Sequence, residues 1–158
     1  VLVQETRGAF EQISSAAPAD REVTVSLSIA WRLWAQLLAA AGESGLEHAT
    51  AQAIDLGEAI VSGGRATEVI VCEAAQTRVT AAQLAARAGD RAAASLHARR
   101  ALELLGPRGD ASNYWRALDP AARAFAFLGD TEHQRAIVAR LDKINYHPTE
   151  PWPVAEPR

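Results

Sequence analysis

Histidine and cysteine are the residues of this chain whose types could support catalysis or metal binding. The four histidines fall in four separate segments: His48, His97, His133 and His147. None has the His-Glu-x-x-His spacing that places two imidazoles on one face of a helix. Cys72 lies on an apolar stripe, which favours a small core residue over a nucleophile, and Gly63-Gly64-Arg65 lacks the strand and the Gly-Lys-Ser/Thr of a phosphate-binding loop. We therefore predict no catalytic residue, no metal site and no cofactor.

The composition indicates a single helical domain, spanning residues 1–158. A chain of 158 residues fits one domain with a substantial core, and its abundant alanine and scarce aromatic residues favour helix over sheet. The net charge of -3 lacks the basic excess of nucleic-acid-binding domains. We find no signal peptide and no apolar stretch of the roughly 20 residues that a membrane span requires. We predict no nucleic-acid partner and no membrane insertion, and we favour the cytoplasm over the periplasm.

Two compositional features indicate the source of the chain. Lys143 is the only lysine among 16 basic residues, and this preference for arginine, together with the alanine content, indicates a GC-rich bacterial genome. The chain has no methionine, even at position 1. We therefore expect a processed product or a piece of a longer bacterial protein.

The segment from Arg65 to Pro107 carries the strongest structural signal. Small and apolar residues recur at helical spacing on both sides of Gly89-Asp90: Val69, Cys72, Ala75, Val79, Ala82 and Ala86, then Ala94, Ala98, Ala101, Leu102 and Leu105. Gly89 can adopt the left-handed conformation that ends a helix, and Asp90 can cap the next helix. This pattern predicts two helices joined as an αα-hairpin.

Similar patterns predict further elements on either side. The predicted elements are a leading helix at 2–14, three αα-hairpins at 22–62, 66–106 and 111–145, and a proline-rich tail at 147–158. We expect one apolar stripe in the first hairpin to contain Val25, Ile29, Leu33 and Leu37. Pro120 is expected either to start a helix capped by Asp119 or to kink a longer helix. We expect the tail to be extended and docked through Trp152. The aromatic residues are expected in the core: Trp31, Trp34, Trp115, Phe125 and Phe127.

A glycine-containing turn recurs along the chain, at Gly42, Gly89 and Gly129. The spacing of 40 to 47 residues is typical of helical-repeat arrays. The chain resembles the tetratricopeptide-repeat (TPR) family over about residues 22–148. The residues that carry the resemblance are Trp31, Trp34, Ala35 and Leu38, then Gly89-Asp90, Ala94, Ala101, Leu102 and Pro107, and finally Leu118, Ala121, Ala122, Phe125 and Gly129-Asp130. The repeats are longer than the usual 34 residues of that family.

The resemblance implies an all-α fold of six to seven helices, in which antiparallel αα-hairpins stack as a right-handed solenoid. A plain helical bundle is the alternative. In the TPR family the first helices of the hairpins line a concave groove. The resemblance places the following residues in that groove: Arg32, Gln36, Gln76, Gln83, Arg87, Arg116, Asp119 and Arg123. Arginine and glutamine side chains suit an acidic side chain, a terminal carboxylate or a peptide backbone, although the same residues could simply be solvated.

These features together predict a non-enzymatic module that binds a protein or peptide, or mediates assembly, within a larger bacterial protein. The alternative is a regulatory helical domain that senses a small molecule, because the repeat lengths are uneven and the aromatic residues cluster. Self-association is also compatible with the sequence, since a leading helix would present an apolar face without a neighbour.

Overall fold

A computed structural model describes residue 12 and residues 21–64, 66–148 and 150–153. These residues are all-α, with no strand, and form six helices of 13 to 21 residues and one single helical turn. In chain order the helices are α1 Arg21–Ala41, α2 Leu46–Ser62, α3 Glu68–Arg87, α4 Arg91–Leu105, α5 Arg108–Ala111, α6 Trp115–Phe127 and α7 Thr131–Lys143. The predicted leading helix at 2–14 lies outside the described residues, except for Gln12, which is helical.

Helices that follow each other along the chain pack together, and α3 is the most central of them. Helix α1 packs against α2, α3 against α4, and α6 against α7. Helix α3 also contacts α1, α2 and α6. A helix with neighbours on several sides needs small residues around most of its circumference. This explains why alanine dominates α3.

The predicted alanine-rich stripes form the core between α3 and α4. Their buried members are Cys72, Ala75, Val79, Ala82, Ala94, Ala98, Ala101 and Leu105. The same cluster continues through Leu118 of α6 and Leu141 of α7. Val69 and Ala86 differ from the prediction and are exposed, because they lie in the first and last turns of α3.

The three recurring glycines form the same turn. Gly42, Gly89 and Gly129 all have positive φ, at 66°, 82° and 71°. The next N–H in each case bonds to the carbonyl five residues earlier: Glu43 to Leu38, Asp90 to Ala85 and Asp130 to Phe125, at 3.0, 2.9 and 2.9 Å. This is the Schellman ending of a helix. Asp90 and Asp130 then cap α4 and α7 by accepting from backbone N–H groups, so the predicted turn chemistry at Gly89-Asp90 is confirmed.

Helix α1 buries its tryptophans more deeply than the apolar stripe that lies beside them. Leu33 and Leu37 are 49% and 61% exposed, whereas Trp31 and Trp34 are only 2% and 7% exposed. The indole rings remove more apolar area from water than leucine does, and they pack with Leu38 and residues of α2 in a second apolar cluster. The prediction of core positions for Trp31 and Trp34 is therefore confirmed. In the stripe beside them, Val25 and Ile29 are half-buried, and only Leu33 and Leu37 are exposed.

Helix α1 also corrects the expectation that no apolar stretch could span a membrane. Its 21 residues are long and apolar enough to do so by length and composition. A third of the apolar stretch is buried within the described fold, and the buried tryptophan face accounts for part of its apolar character.

The chain between α4 and α6 differs from the prediction of a break at 106–110 followed by a helix from Ala111. Residues Arg108–Ala111 form a single helical turn, and α6 begins only at Trp115. In between, the Tyr114 N–H donates to the Ser112 hydroxyl at 2.9 Å, a local bond of the kind that competes with helix formation. The third predicted pair of helices therefore starts four residues later than expected.

Pro120 lies inside α6, five residues after the helix begins. Asp119 is accordingly a mid-helix residue and does not cap a helix as predicted. Its carboxylate instead pairs with Arg123, one turn further along α6. A proline within a helix removes one backbone hydrogen bond, and the strongly buried surroundings of α6 keep the helix continuous across it.

An ionic cluster joins α2, α3 and α4. The Glu58 carboxylate accepts from Arg78 Nε at 2.7 Å and from Arg100 Nε and Nη2, both at 3.1 Å. Arg78 Nη1 also lies 3.0 Å from His97 Nδ1. Burial and the charge of Arg78 lower the pKa of His97, so the neutral imidazole accepts from the arginine. Burial acts to raise the pKa of Glu58, but the hydrogen bonds from Arg100 and Arg78 outweigh it, and the pKa lies below its ordinary value.

Candidate functional site

Helices α1, α3 and α6 bring most of the predicted groove residues to one cavity of about 430 Å³. Seven of the eight line it: Arg32, Gln36, Gln76, Gln83, Arg116, Asp119 and Arg123. Along each helix these residues are three, four or seven positions apart, which places them on one face. Arg87 is the exception and lies at a neighbouring cavity of about 560 Å³ beside the tail.

Glu73 of α3 makes this cavity less basic than the sequence predicted. Its carboxylate accepts from Arg116 Nη1 at 2.9 Å and from Arg32 Nη2 at 3.4 Å. Burial lowers the pKa of Arg32, and the charge of Glu73 opposes that shift. Sequence reasoning missed Glu73, although it lies three residues before Gln76 and therefore on the same face of α3.

A buried ion pair forms the floor of the cavity. Arg123 Nε lies 3.2 Å from both carboxylate oxygens of Asp119, and the two side chains are only 4% and 9% exposed. Burial raises the pKa of Asp119, against the opposing effects of the Arg123 charge and a hydrogen bond from Tyr146. Burial and the charge of Asp119 raise the pKa of Tyr146 to about 12. The phenol therefore stays protonated near neutral pH and remains a donor to Asp119.

Two aromatic rings form a wall of the cavity. Trp115 and Tyr146 stack with ring centroids 5.3 Å apart and an interplanar angle of 20°, and the Arg116 guanidinium lies 4.9 Å from the centre of the indole ring. Trp115 is 41% exposed, so its predicted place in the core was wrong. It starts α6 at the edge of the fold, where Tyr146 and Arg116 contact the ring without enclosing it. Phe125 and Phe127 are partly buried and pack against the core.

The proline-rich tail docks beside this cavity in a non-helical conformation. Arg123 donates to the backbone carbonyls of Glu150 and Pro151, at 2.8 and 3.2 Å. Gln134 of α7 donates to the carbonyl of Pro153 at 3.2 Å. The Trp152 ring centre lies 5.0 Å from the Arg123 guanidinium, and the indole packs against the core cluster. The expected docking through Trp152 is confirmed for residues 150–153.

The tail also brings an acidic side chain into the site. Gln83 Nε2 donates to the Glu150 carboxylate at 3.3 Å, and Glu150 lines both cavities. We use the term groove for the 430 Å³ cavity together with the tail-binding side chains of Gln83, Arg123 and Gln134. The contacts between the tail and these side chains could not be inferred from periodicity. The tail has no repeating spacing that would relate its residues to one face of a helix.

Several donors at the centre of the groove have no partner among the described residues. Gln36 and Gln76 line the cavity, and neither side-chain amide makes a hydrogen bond there. Arg32 Nε is buried and likewise lacks an acceptor. Of these donors only Arg32 Nε is buried, and a buried donor without an acceptor costs about 1 to 3 kcal/mol. The amides of Gln36 and Gln76 are half-buried and remain open to a ligand that supplies carbonyl or carboxylate oxygens.

The residues that could have indicated catalysis or metal binding do not converge. Within the described ranges, no group of three or more histidine, cysteine or acidic side chains could hold a metal ion. Cys72 is 1% exposed, and burial, aided by nearby glutamates, raises the pKa of its thiol to about 11. Its predicted role as a core residue is confirmed. His147 borders the groove, whereas His48 packs edge-on against Trp31.

Comparison of the chain with protein-family models, with curated proteins and with solved structures found no match. The function is therefore inferred from the side chains and packing of the described residues.

Proposed function

We propose that this chain is a non-enzymatic module that binds an extended peptide segment of a partner protein, within a larger bacterial protein. One observation carries the proposal. Side chains from α1, α3 and α6 converge on one groove, and the same groove already holds the chain's own tail through backbone carbonyls. Recognition of main-chain atoms, with a few pockets for side chains, is how extended peptides are commonly bound.

The proposed arrangement of the helices is three αα-hairpins stacked in an irregular TPR-like solenoid. Three equivalent Schellman turns support it. The packing of α3 against both α1 and α6 supports it too, since first helices of successive hairpins are neighbours in such a stack. The single turn α5, between the second and third pairs, is a departure from a regular repeat.

The groove chemistry favours a ligand with oxygen acceptors. Arg32 and Arg116 are held by Glu73, which fixes the guanidinium groups without using all their N–H donors. The amides of Gln36 and Gln76 add donors beside them. A peptide in the cavity would place backbone carbonyls, or an acidic side chain, against these donors.

The experiment that tests this function is selection of peptides from a displayed random library on the immobilised full chain. We expect enrichment of peptides by the wild type and by a Gln52→Trp control. A Gln76→Trp variant should bind the selected peptides at least tenfold more weakly than the wild type, because the indole fills the cavity. Gln52 is a partly exposed glutamine of α2 that lines neither cavity, so it matches Gln76 in type.

Circular dichroism and thermal unfolding should first show that both tryptophan variants are folded. The proposal would be contradicted if neither the wild type nor a full-chain Trp152→Ala variant enriched any peptide. It would also be contradicted if the Gln76→Trp variant enriched the same peptides as strongly as the wild type.

A second candidate function is binding of a small polar molecule in the same cavity, because its volume of about 430 Å³ falls within the range of small-molecule sites. The charged lining makes it less apolar than most such sites. A thermal-shift screen of polar metabolites tests this alternative. It predicts a rise in Tm for the wild type that is absent in the Gln76→Trp variant, and a screen without any such rise at millimolar concentrations would contradict it.

A further inference from the structure

We propose that the tail around residues 150–153 is a built-in competitor for the groove, and that the partner peptide resembles it: an acidic residue followed by proline, an aromatic residue and proline. This inference rests on the proposed peptide-binding function. It adds the sequence class of the ligand and a means of regulation, because the partner must displace the tail before it occupies the Arg123 end of the groove.

The hydrogen bonds between the groove and the tail all run in one direction. Arg123 and Gln134 present only donors to the tail, and they bind the carbonyls of Glu150, Pro151 and Pro153. Proline has no N–H, so a segment with prolines at the second and fourth positions leaves fewer amide donors without a partner in such a site. The groove therefore suits a proline-rich segment better than an ordinary one.

Arg123 uses all three of its side-chain nitrogens in the presence of the tail. Its Nε is committed to Asp119, while Nη1 and Nη2 reach the two tail carbonyls. Its side chain is 4% exposed with the tail in place. If the tail left and nothing replaced it, a buried cationic donor would lose two charge-assisted hydrogen bonds. A peptide backbone with consecutive carbonyls restores both bonds. A bidentate carboxylate would restore them too, but only a peptide also supplies a carbonyl to Gln134.

Two side chains of the tail, those of Glu150 and Trp152, make specific contacts with the groove. Trp152 lies over the Arg123 guanidinium at 5.0 Å, a distance typical of cation–π contacts, and Glu150 accepts from Gln83. The acidic and aromatic positions of the tail thus have separate contacts on either side of Pro151. A competing peptide needs both features to reproduce the full set.

A short linker connects the tail to the last helix. Six residues link the end of α7 at Lys143 to Glu150. A segment on so short a tether acts at an effective concentration of about 1 mM. A free peptide with the same contacts and a Kd of about 1 μM is then weakened about 1,000-fold, which is the ratio of the effective concentration to the Kd. Loss of a tail contact should relieve this competition.

The test uses a fluorescein-labelled heptapeptide, HPTEPWP, which is the sequence of residues 147–153. Fluorescence anisotropy is measured with the full-length wild type and with full-length Trp152→Ala and Glu150→Ala variants. We expect at least tenfold tighter binding to the Trp152→Ala variant than to the wild type, and a smaller gain for Glu150→Ala. Two variants guard against a folding defect in either one, and circular dichroism checks their helix content.

Two controls examine the contacts themselves. The peptide HPTEPAP should bind the Trp152→Ala chain at least tenfold more weakly than HPTEPWP. Adding Gln134→Ala to that chain should also weaken binding, because the carbonyl of the last proline loses its donor. Equal binding of HPTEPWP to the wild type and to both variants, or no binding to any of them, would overturn the inference.

The oligomeric state shows whether the tail binds the groove of its own chain or that of a second copy. A wild-type dimer that the Trp152→Ala change dissociates would mean that the tail is exchanged between two copies, which overturns the intramolecular assignment. If the heptapeptide fails while library peptides still depend on Gln76, the proposed function stands and only the role of the tail is rejected.

Discussion

Glu58 and Glu73 each accept hydrogen bonds from two arginines on different helices. Glu58 joins α2, α3 and α4, and Glu73 joins α1, α3 and α6. A carboxylate with two guanidinium partners is largely satisfied even when partly buried. These two residues therefore act as ionic links between neighbouring helices on opposite sides of α3, and only the Glu73 link faces the groove.

The Glu58 link has a predictable effect on stability. Replacing Glu58 with glutamine should lower the free energy of unfolding by about 1 to 2 kcal/mol at pH 7, because charge-assisted hydrogen bonds to Arg78 and Arg100 are lost. Asp55→Asn is the matched control, an exposed acidic residue on the same helix, and should change the free energy by less than about 0.5 kcal/mol. Urea unfolding measures both.

The same variant gives a pH dependence with a definite sign. The pKa of Glu58 is lower in the folded protein than its ordinary value of 4.5. The folded state therefore binds the proton more weakly, and the stability from Glu58 is fully present above pH 4.5 and is lost as the pH falls through the folded pKa. The difference between wild type and Glu58→Gln should shrink over that acidic range. A difference that stays constant down to pH 3 would contradict the ionic role.

At this scale the sequence predicted positions better than pairings. The family resemblance placed Gln36, Gln76 and Arg116 in one groove, and these residues do line one cavity. Helical periodicity alone relates only residues on the same helix. Neither could predict that Glu73 would pair with two of the arginines, because those partners come from other helices and depend on tertiary packing. The contacts between Arg123 and the tail were inaccessible for the same reason.

The helix elements are separated by turns whose chemistry is local. Gly42, Gly89 and Gly129 end helices in the left-handed conformation, and an aspartate caps the next helix in two of the three turns. Such signals lie within six residues and were readable from the sequence. The buried face of α1 and the start of α6 were not, because they depend on which neighbours cover a helix.

The turn glycines provide an element-scale prediction. Gly89→Ala should lower the free energy of unfolding by about 1 to 2 kcal/mol, since a side chain in the left-handed region is strained. A Cβ at this position would meet no heavy atom within 4 Å, so the cost arises from the backbone alone. Thermal or urea unfolding measures it.

Gly63→Ala is the matched control for that variant. Gly63 also ends a helix, but its φ is -67°, and an added Cβ would make only ordinary contacts at 3.5 Å. We expect it to be neutral or slightly stabilising, because alanine restricts the unfolded chain. Equal losses for the two variants would show that the left-handed turn is not the source of the effect.

The whole molecule combines a rigid, alanine-rich centre with a polar groove on one side. Helix α3 supplies both: one face packs against α4, and another carries Glu73, Gln76 and Gln83 into the groove. Since α1 and α6 flank α3, the groove is assembled from segments far apart in sequence. Its shape therefore depends on the intact packing of these helices, and the tail binds at its Arg123 end.

The groove is proposed to receive a peptide at the end where Gln36 and Gln76 lie. Nuclear magnetic resonance of the side-chain amides tests it most directly, with the full chain titrated by a peptide selected from the library. We predict saturable shifts of the Gln36 and Gln76 amide signals, with Gln52 unchanged. Unchanged Gln36 and Gln76 signals at saturating peptide, with shifts elsewhere, would contradict the claim.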